Sequence, residues 1–162
     1  MSGTSTVNPM ICSPKQIQEQ ELEQNFGQLA HARKASGFDE ARTALNRWTE
    51  AVTSNRIETV LTLYAKDAVL VPTLSNEIHV TEAGRRSYFE FFLSRQVLGC
   101  TVEQEVVRAD PAHGTVAIGG IYTFSFRTED GGAEAVPARF LFTYAQIDGH
   151  WLITGHHSSR CV

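Results

Sequence analysis

Trp151-Leu152-Ile153-Thr154-Gly155-His156-His157-Ser158-Ser159 is the last patterned stretch of the chain. Read as a strand with period two, Trp151, Ile153, Gly155, His157 and Ser159 share one side. Leu152, Thr154, His156 and Ser158 share the other. The first set starts with large apolar side chains and ends in an imidazole and a hydroxyl, the pattern of a core wall that turns into a polar site. Gly155 leaves space between the halves, as a strand glycine does where something must approach closely. A bulge at Gly155 would reverse the assignment and bring His156 and Ser158 inside. The plainer alternative is a terminal strand whose histidine and serine groups satisfy one another.

Upstream, the same alternation extends over long segments. Ala135 to Ile147 reads as a strand turned by Asp148-Gly149 into the last one, and Thr115 to Arg127 as a strand closed by Glu129-Asp130-Gly131-Gly132. Thr101 to Arg108 alternates with many polar residues, so one of its faces meets water. The first half has a helical period instead. Ala41, Ala44, Leu45, Trp48, Ala51 and Val52 stripe one face of a helix over Phe38 to Ser54. Ile57 to Tyr64 predicts a second, shorter helix, and Ala68 to Val71 a short strand ended by Pro72. Thr81 caps a further helix whose apolar face is Tyr88, Phe89, Phe92 and Leu93. Between them, Pro72-Thr73-Leu74-Ser75-Asn76 is hydroxyl-rich, which on its own reads as turn chemistry.

Helices followed by meandering long strands imply an α+β domain, with helices on one face of a curved antiparallel sheet. That domain is expected over 36–162. Before it, residues 1–14 read as a polar arm. Ser13-Pro14 opens an additional helix over 15–35 with the thin stripe Ile17, Leu22, Phe26 and Leu29.

The chain has 162 residues, 42% of them hydrophobic and 20% charged, with a formal net charge of −4. No basic stripe offers a footprint for nucleic acid, and no apolar run approaches the length that spans a membrane. A cytoplasmic protein is expected. Cys12, Cys100 and Cys161 lack metal-site spacing and cannot all pair internally, so reduced thiols are expected. His156 and His157 are adjacent and point to opposite faces of a strand, so they cannot chelate together. His31, His79, His113 and His150 show no ligand spacing.

A set of these residues carries a family resemblance: Trp48, Leu63-Tyr64-Ala65 with Asp67-Ala68-Val69, Tyr88-Phe89, Ala138-Arg139-Phe140 and Trp151-Leu152-Ile153. Over Phe38 to Ser159 the chain resembles the cone-shaped α+β half-barrel of nuclear transport factor two, the polyketide cyclases and the kinase association domain. Within that fold it is similar to bacterial relatives of the association domain of calcium/calmodulin-dependent kinase. The His156-His157-Ser158-Ser159 ending and Pro72-Thr73-Leu74-Ser75 resemble the iota class of carbonic anhydrases. The resemblance implies a curved sheet wrapped around the long N-terminal helix of the domain, with a deep pocket between them.

On that resemblance Thr73, Tyr88, Tyr122, Arg139, His157 and Ser159 face inward, with Trp48 and Ser75 beside them. The implied reaction is reversible hydration of carbon dioxide to bicarbonate. His157 would be the base, because an unperturbed imidazole of pKa about 6.5 is largely neutral near pH 7. Ser159, Thr73 and Tyr88 would hold water and bicarbonate, and Arg139 would stabilise the growing negative charge. The spread of histidines favours a site with no metal, the alternative being zinc or manganese, which lowers the pKa of bound water toward about 7. Two other functions stay open. One is a non-catalytic binding or assembly module; the other is an isomerase or cyclase, since a fold hosts many chemistries. A homodimer or higher homo-oligomer is expected, formed through the convex sheet face.

Overall fold

The computed structural model of this chain describes residues 38–161. The expected arm over 1–14, the helix over 15–35 and Cys12 lie outside them. Helix α1 covers residues 38–53, and its stripe of Ala41, Ala44, Leu45, Trp48, Ala51 and Val52 is buried as the spacing predicts. Asn55 takes a left-handed φ of 54° just past its end, a conformation asparagine tolerates better than most residues. Helix α2 follows over Ile57–Thr62, then strand β1 over Tyr64–Val71. The second helix is thus shorter than predicted and the strand longer. Helix α3, Glu82–Ser94, begins at Thr81, whose hydroxyl accepts the Gly84 N–H at 3.1 Å. That bond satisfies one of the helix's orphan donors.

Four long strands complete the domain: β2 Val97–Asp110, β3 Thr115–Arg127, β4 Ala133–Ile147 and β5 His150–Arg160. They form one open sheet in the order β1-β5-β4-β3-β2. The fold is the expected α+β half-barrel, with one correction: β1 pairs with β5 in parallel, so the sheet is mixed rather than wholly antiparallel. A parallel pair needs a long crossover, and everything from α3 to β4 supplies it.

The concave face is aromatic. Phe140, Phe142 and Tyr144 of β4 and Tyr122, Phe124 and Phe126 of β3 are all buried there. Trp48 seats α1 on them, its ring centroid 5.0 Å from that of Phe142 and 6.2 Å from those of Tyr122 and Phe124.

Two of the sheet's register shifts bear on the site. In β2, Val102 faces Tyr122 and Gln104 faces Ile121, leaving Glu103 as the extra residue. Gly120 is required beside it, because a Cβ there would lie 1.9 Å from the Gln104 carbonyl oxygen. In β5, Ile153 faces Tyr144 but Gly155 faces Thr143, so Thr154 is the extra residue. One inserted residue reverses the facing of every side chain beyond it. Ile153, His156 and Ser158 are therefore buried, while His157 is exposed.

Candidate functional site

A cavity of about 270 Å³ lies between α1, α3 and the concave face. Phe92, Phe124, Phe126 and Tyr88 form its walls; Thr73, Tyr122, His156 and Ser158 supply polar groups. The polar end is built from two hydrogen-bonded sets. In the first, the Thr73 hydroxyl donates to Ser158 Oγ at 2.7 Å and the Tyr122 hydroxyl donates to the same atom at 2.6 Å. With two hydroxyls donating to it, Ser158 keeps its own proton for a third partner.

In the second set, Trp48 Nε1–H donates to the Tyr64 oxygen at 3.0 Å, and that hydroxyl lies 2.8 Å from His156 Nδ1. The His156 ring stacks on Phe142, centroids 4.0 Å apart, and meets Trp48 edge-on at 5.1 Å. These neighbours take the imidazole out of water. Burial, helped by the adjacent His157, pushes its pKa down to about 3, because a desolvated ring disfavours the charged form. Burial raises the Tyr64, Tyr88 and Tyr122 phenols well above their ordinary range. The tyrosines and His156 are thus neutral near pH 7.

Trp48, Thr73, Tyr88 and Tyr122 line the cavity, but four other residues expected there do not. His157 and Ser159 lie on the opposite face of β5, since the bulge at Thr154 shifts the alternation by one. Arg139 is exposed on the convex face of β4, with its Nη2 3.4 Å from the Arg160 carbonyl. Its inward neighbours are Ala138, Phe140, Phe142 and Tyr144, a stronger apolar set than the Leu141 and Thr143 that share its face. Ser75 makes a turn, accepting the Glu77 N–H at 3.0 Å.

The residues that take their places are His156 and Ser158, which the bulged reading of β5 already named; Tyr64 stands behind them, in reach of His156 Nδ1. Tyr64 begins β1, in a segment whose sequence reads as helical. Arg95, Arg160 and Glu134 also line the cavity; Arg160 and Glu134 are exposed, and the Arg95 guanidinium lies over the Phe126 ring at 4.2 Å. Among the described residues no group of three or more histidine, cysteine or acidic side chains converges as a metal site. The donor set at the polar end, one imidazole and several neutral hydroxyls, does not suit zinc or manganese.

An open, curved five-stranded sheet with helices on its concave side and a polar-ended cavity between them defines the nuclear transport factor two-like, or cystatin-like, class. Residues 39–161 match the family described as the calcium/calmodulin dependent protein kinase II association domain, and the chain belongs to that family. A Xanthomonas campestris structure assigned to the same association domain is 34% identical, with a TM-score of 0.70 over 75% of this chain and 86% of that one. An NTF2-like protein with a cystatin-like fold from Novosphingobium aromaticivorans has a TM-score of 0.69 at 11% identity, covering 82% of this chain and 86% of the other. An NTF2-like superfamily protein from Salmonella enterica reaches 0.68 at 10% identity, covering 79% and 93%. These last two show the fold alone. A comparison with curated proteins found no match. Among the described residues, no helix is long and apolar enough to cross a membrane.

Proposed function

We propose that this cavity hydrates carbon dioxide reversibly to bicarbonate and a proton, without a metal, as the resemblance to the iota carbonic anhydrases implies. The observation that carries the reading is the polar end itself, where neutral imidazole and hydroxyl groups meet aromatic walls. Apolar walls suit an uncharged gas. The Thr73 and Tyr122 oxygens, whose own protons go to Ser158, accept from a water beside it. As the water oxygen bonds to carbon, one C=O electron pair moves onto an oxygen of the former carbon dioxide. His156 and Ser158 stabilise that oxygen by hydrogen bonding.

An imidazole whose pKa is near 3 cannot keep the water's proton at neutral pH, so that proton is taken up by buffer base in the solvent at the mouth. The proton transfer expected of His157 thereby passes to solvent, and the charge stabilisation expected of Arg139 falls to His156 and Ser158. Arg139 takes no part.

The test is oxygen-isotope exchange between labelled carbon dioxide and water, on chelator-treated protein and on protein supplied with zinc or manganese. Chelated protein is expected to stay active, and Ser158→Ala to lose about a hundredfold, the scale for removing one such donor. Activity that appears only with added metal refutes the metal-free mechanism. No exchange under either condition refutes the enzyme and leaves a ligand-binding module.

A second proposal concerns assembly. Val71, His157, Leu141, Gly119 and Val106 form one row across the convex face, each register partner of the next. Leu141 and Val106 are 45% and 69% exposed, an apolar pair flanking a glycine. We infer that this face pairs with a second copy of the chain, in keeping with an association-domain family. Sedimentation at micromolar concentration is expected to show a dimer, and Val106→Glu with Leu141→Glu a folded monomer. A monomeric parent protein counts against the interface.

A further inference from the structure

The hydrogen bonds around Tyr64 determine which nitrogen of His156 carries its proton. An indole N–H can only donate, so the Tyr64 oxygen accepts from Trp48 at 3.0 Å. The single phenolic proton then has one described acceptor, His156 Nδ1, at 2.8 Å. An Nδ1 that accepts leaves a neutral ring protonated at Nε2. This nitrogen is buried and has no hydrogen-bond partner among the described residues, while the ring lines the cavity and is 4% exposed. A buried N–H without an acceptor is unfavourable and calls for an acceptor from within the cavity.

The surroundings hold the ring in this state. Trp48 of α1, Tyr64 of β1 and Phe142 of β4 pack against it, and none of them carries a charge near neutral pH. The charged Arg85 guanidinium lies on the Tyr64 ring, 5.8 Å from its centroid. His157, next along β5, faces away.

We propose that Trp48 and Tyr64 lock His156 in the Nε2–H tautomer, so that this N–H is the donor that receives a negatively charged oxygen of a small carboxylate-like ligand. Ser158 offers its hydroxyl proton to the same ligand. The class of ligand is therefore a small oxyanion such as bicarbonate, recognised by these two donors. Trp48 and Tyr64 are positioning residues that act through His156. The inference rests on the carbon dioxide reading only for the identity of the ligand.

The experiment is long-range proton–nitrogen NMR on protein labelled with ¹⁵N-histidine, the His156 signals assigned by their absence in His156→Gln. The full chain is expected to show a protonated Nε2 and a bare Nδ1, unchanged between pH 5 and pH 8. Sodium bicarbonate is expected to shift the Nε2–H proton downfield in the parent protein. Tyr64→Phe is expected to give a mixture of tautomers and a weaker response to bicarbonate, at least tenfold less sensitive. A merely structural tyrosine would leave the tautomer unchanged. A protonated Nδ1 in the parent, or a ring that titrates near pH 6.5, overturns the lock. If the lock is present and bicarbonate shifts nothing, the donor role is overturned. A bicarbonate response without isotope exchange sustains the inference and refutes only the enzymatic reading.

Discussion

Replacing Arg85 by methionine is expected to destabilise the domain by about 3 kcal/mol or more, given three lost bonds from a charged donor. Arg85 is 1% exposed, and its guanidinium is spent on main chain. Nη1 donates to the Ala68 carbonyl at 2.7 Å, and Nη2 to those of Ala65 and Lys66 at 3.1 and 3.0 Å. These carbonyls belong to the part of β1 where its register with β5 is broken, between Tyr64 and Val69. Arg85 supplies there the hydrogen bonds that the ladder does not. Methionine fills comparable volume and leaves three carbonyls without a donor.

Arg86, the next residue, is the control. It bonds the exposed Glu58 at 2.6 and 2.9 Å. A surface pair of this kind contributes roughly 0–1 kcal/mol, so Arg86→Met should change little. Urea unfolding of the two variants side by side decides the matter. If Arg85→Met costs less than Arg86→Met, the buried guanidinium is not what holds β1.

Acid should weaken the parent protein through His156 from about pH 6.5 downward, starting above the range in which carboxylates titrate. In the unfolded chain this imidazole takes up a proton near its ordinary pKa of about 6.5; in the folded protein burial holds it down to about 3. The unfolded state therefore binds more protons between those values. The sign follows: the stability is fully present above about pH 6.5 and is lost progressively as pH falls toward 3. The loss attributable to this ring is on the order of 4 kcal/mol across that window.

His156→Gln removes the titrating group, so its stability should fall less steeply over the same window, even if it is less stable at pH 7. Urea melts at intervals from pH 8 to pH 3.5 measure both slopes. Parallel slopes for parent and variant would mean that His156 is not buried as a neutral ring.

Much of this architecture follows from local pattern. The α1 stripe through Trp48, the Thr81 cap and the strand alternation through Tyr122, Phe124 and Phe126 are consequences of period and side-chain chemistry. Neighbouring residues alone determine them. Arg139 was legible too, because Ala138, Phe140, Phe142 and Tyr144 outweigh Leu141 and Thr143 as a core face. The expected inward arginine came from the family resemblance, against the stronger pattern.

Three features depended on tertiary pairing. The direction of β1 against β5 has no local signature, since a parallel and an antiparallel strand show the same alternation. The burial of Arg85 and exposure of Arg86 depend on which backbone carbonyls the irregular β1 leaves unpaired, some 20 residues away in sequence. The choice between His156 and His157 depends on a single extra residue at Thr154, placed by the pairing of β5 with β4. Thr143 and Thr154 join their hydroxyls there at 3.0 Å, and a Cβ on Gly155 would come within 2.7 Å of the Thr143 hydroxyl. The nine residues from Trp151 to Ser159 determined that an imidazole and a hydroxyl would face the cavity together. Which pair did so was decided by register, because a strand's period of two makes one inserted residue exchange its faces.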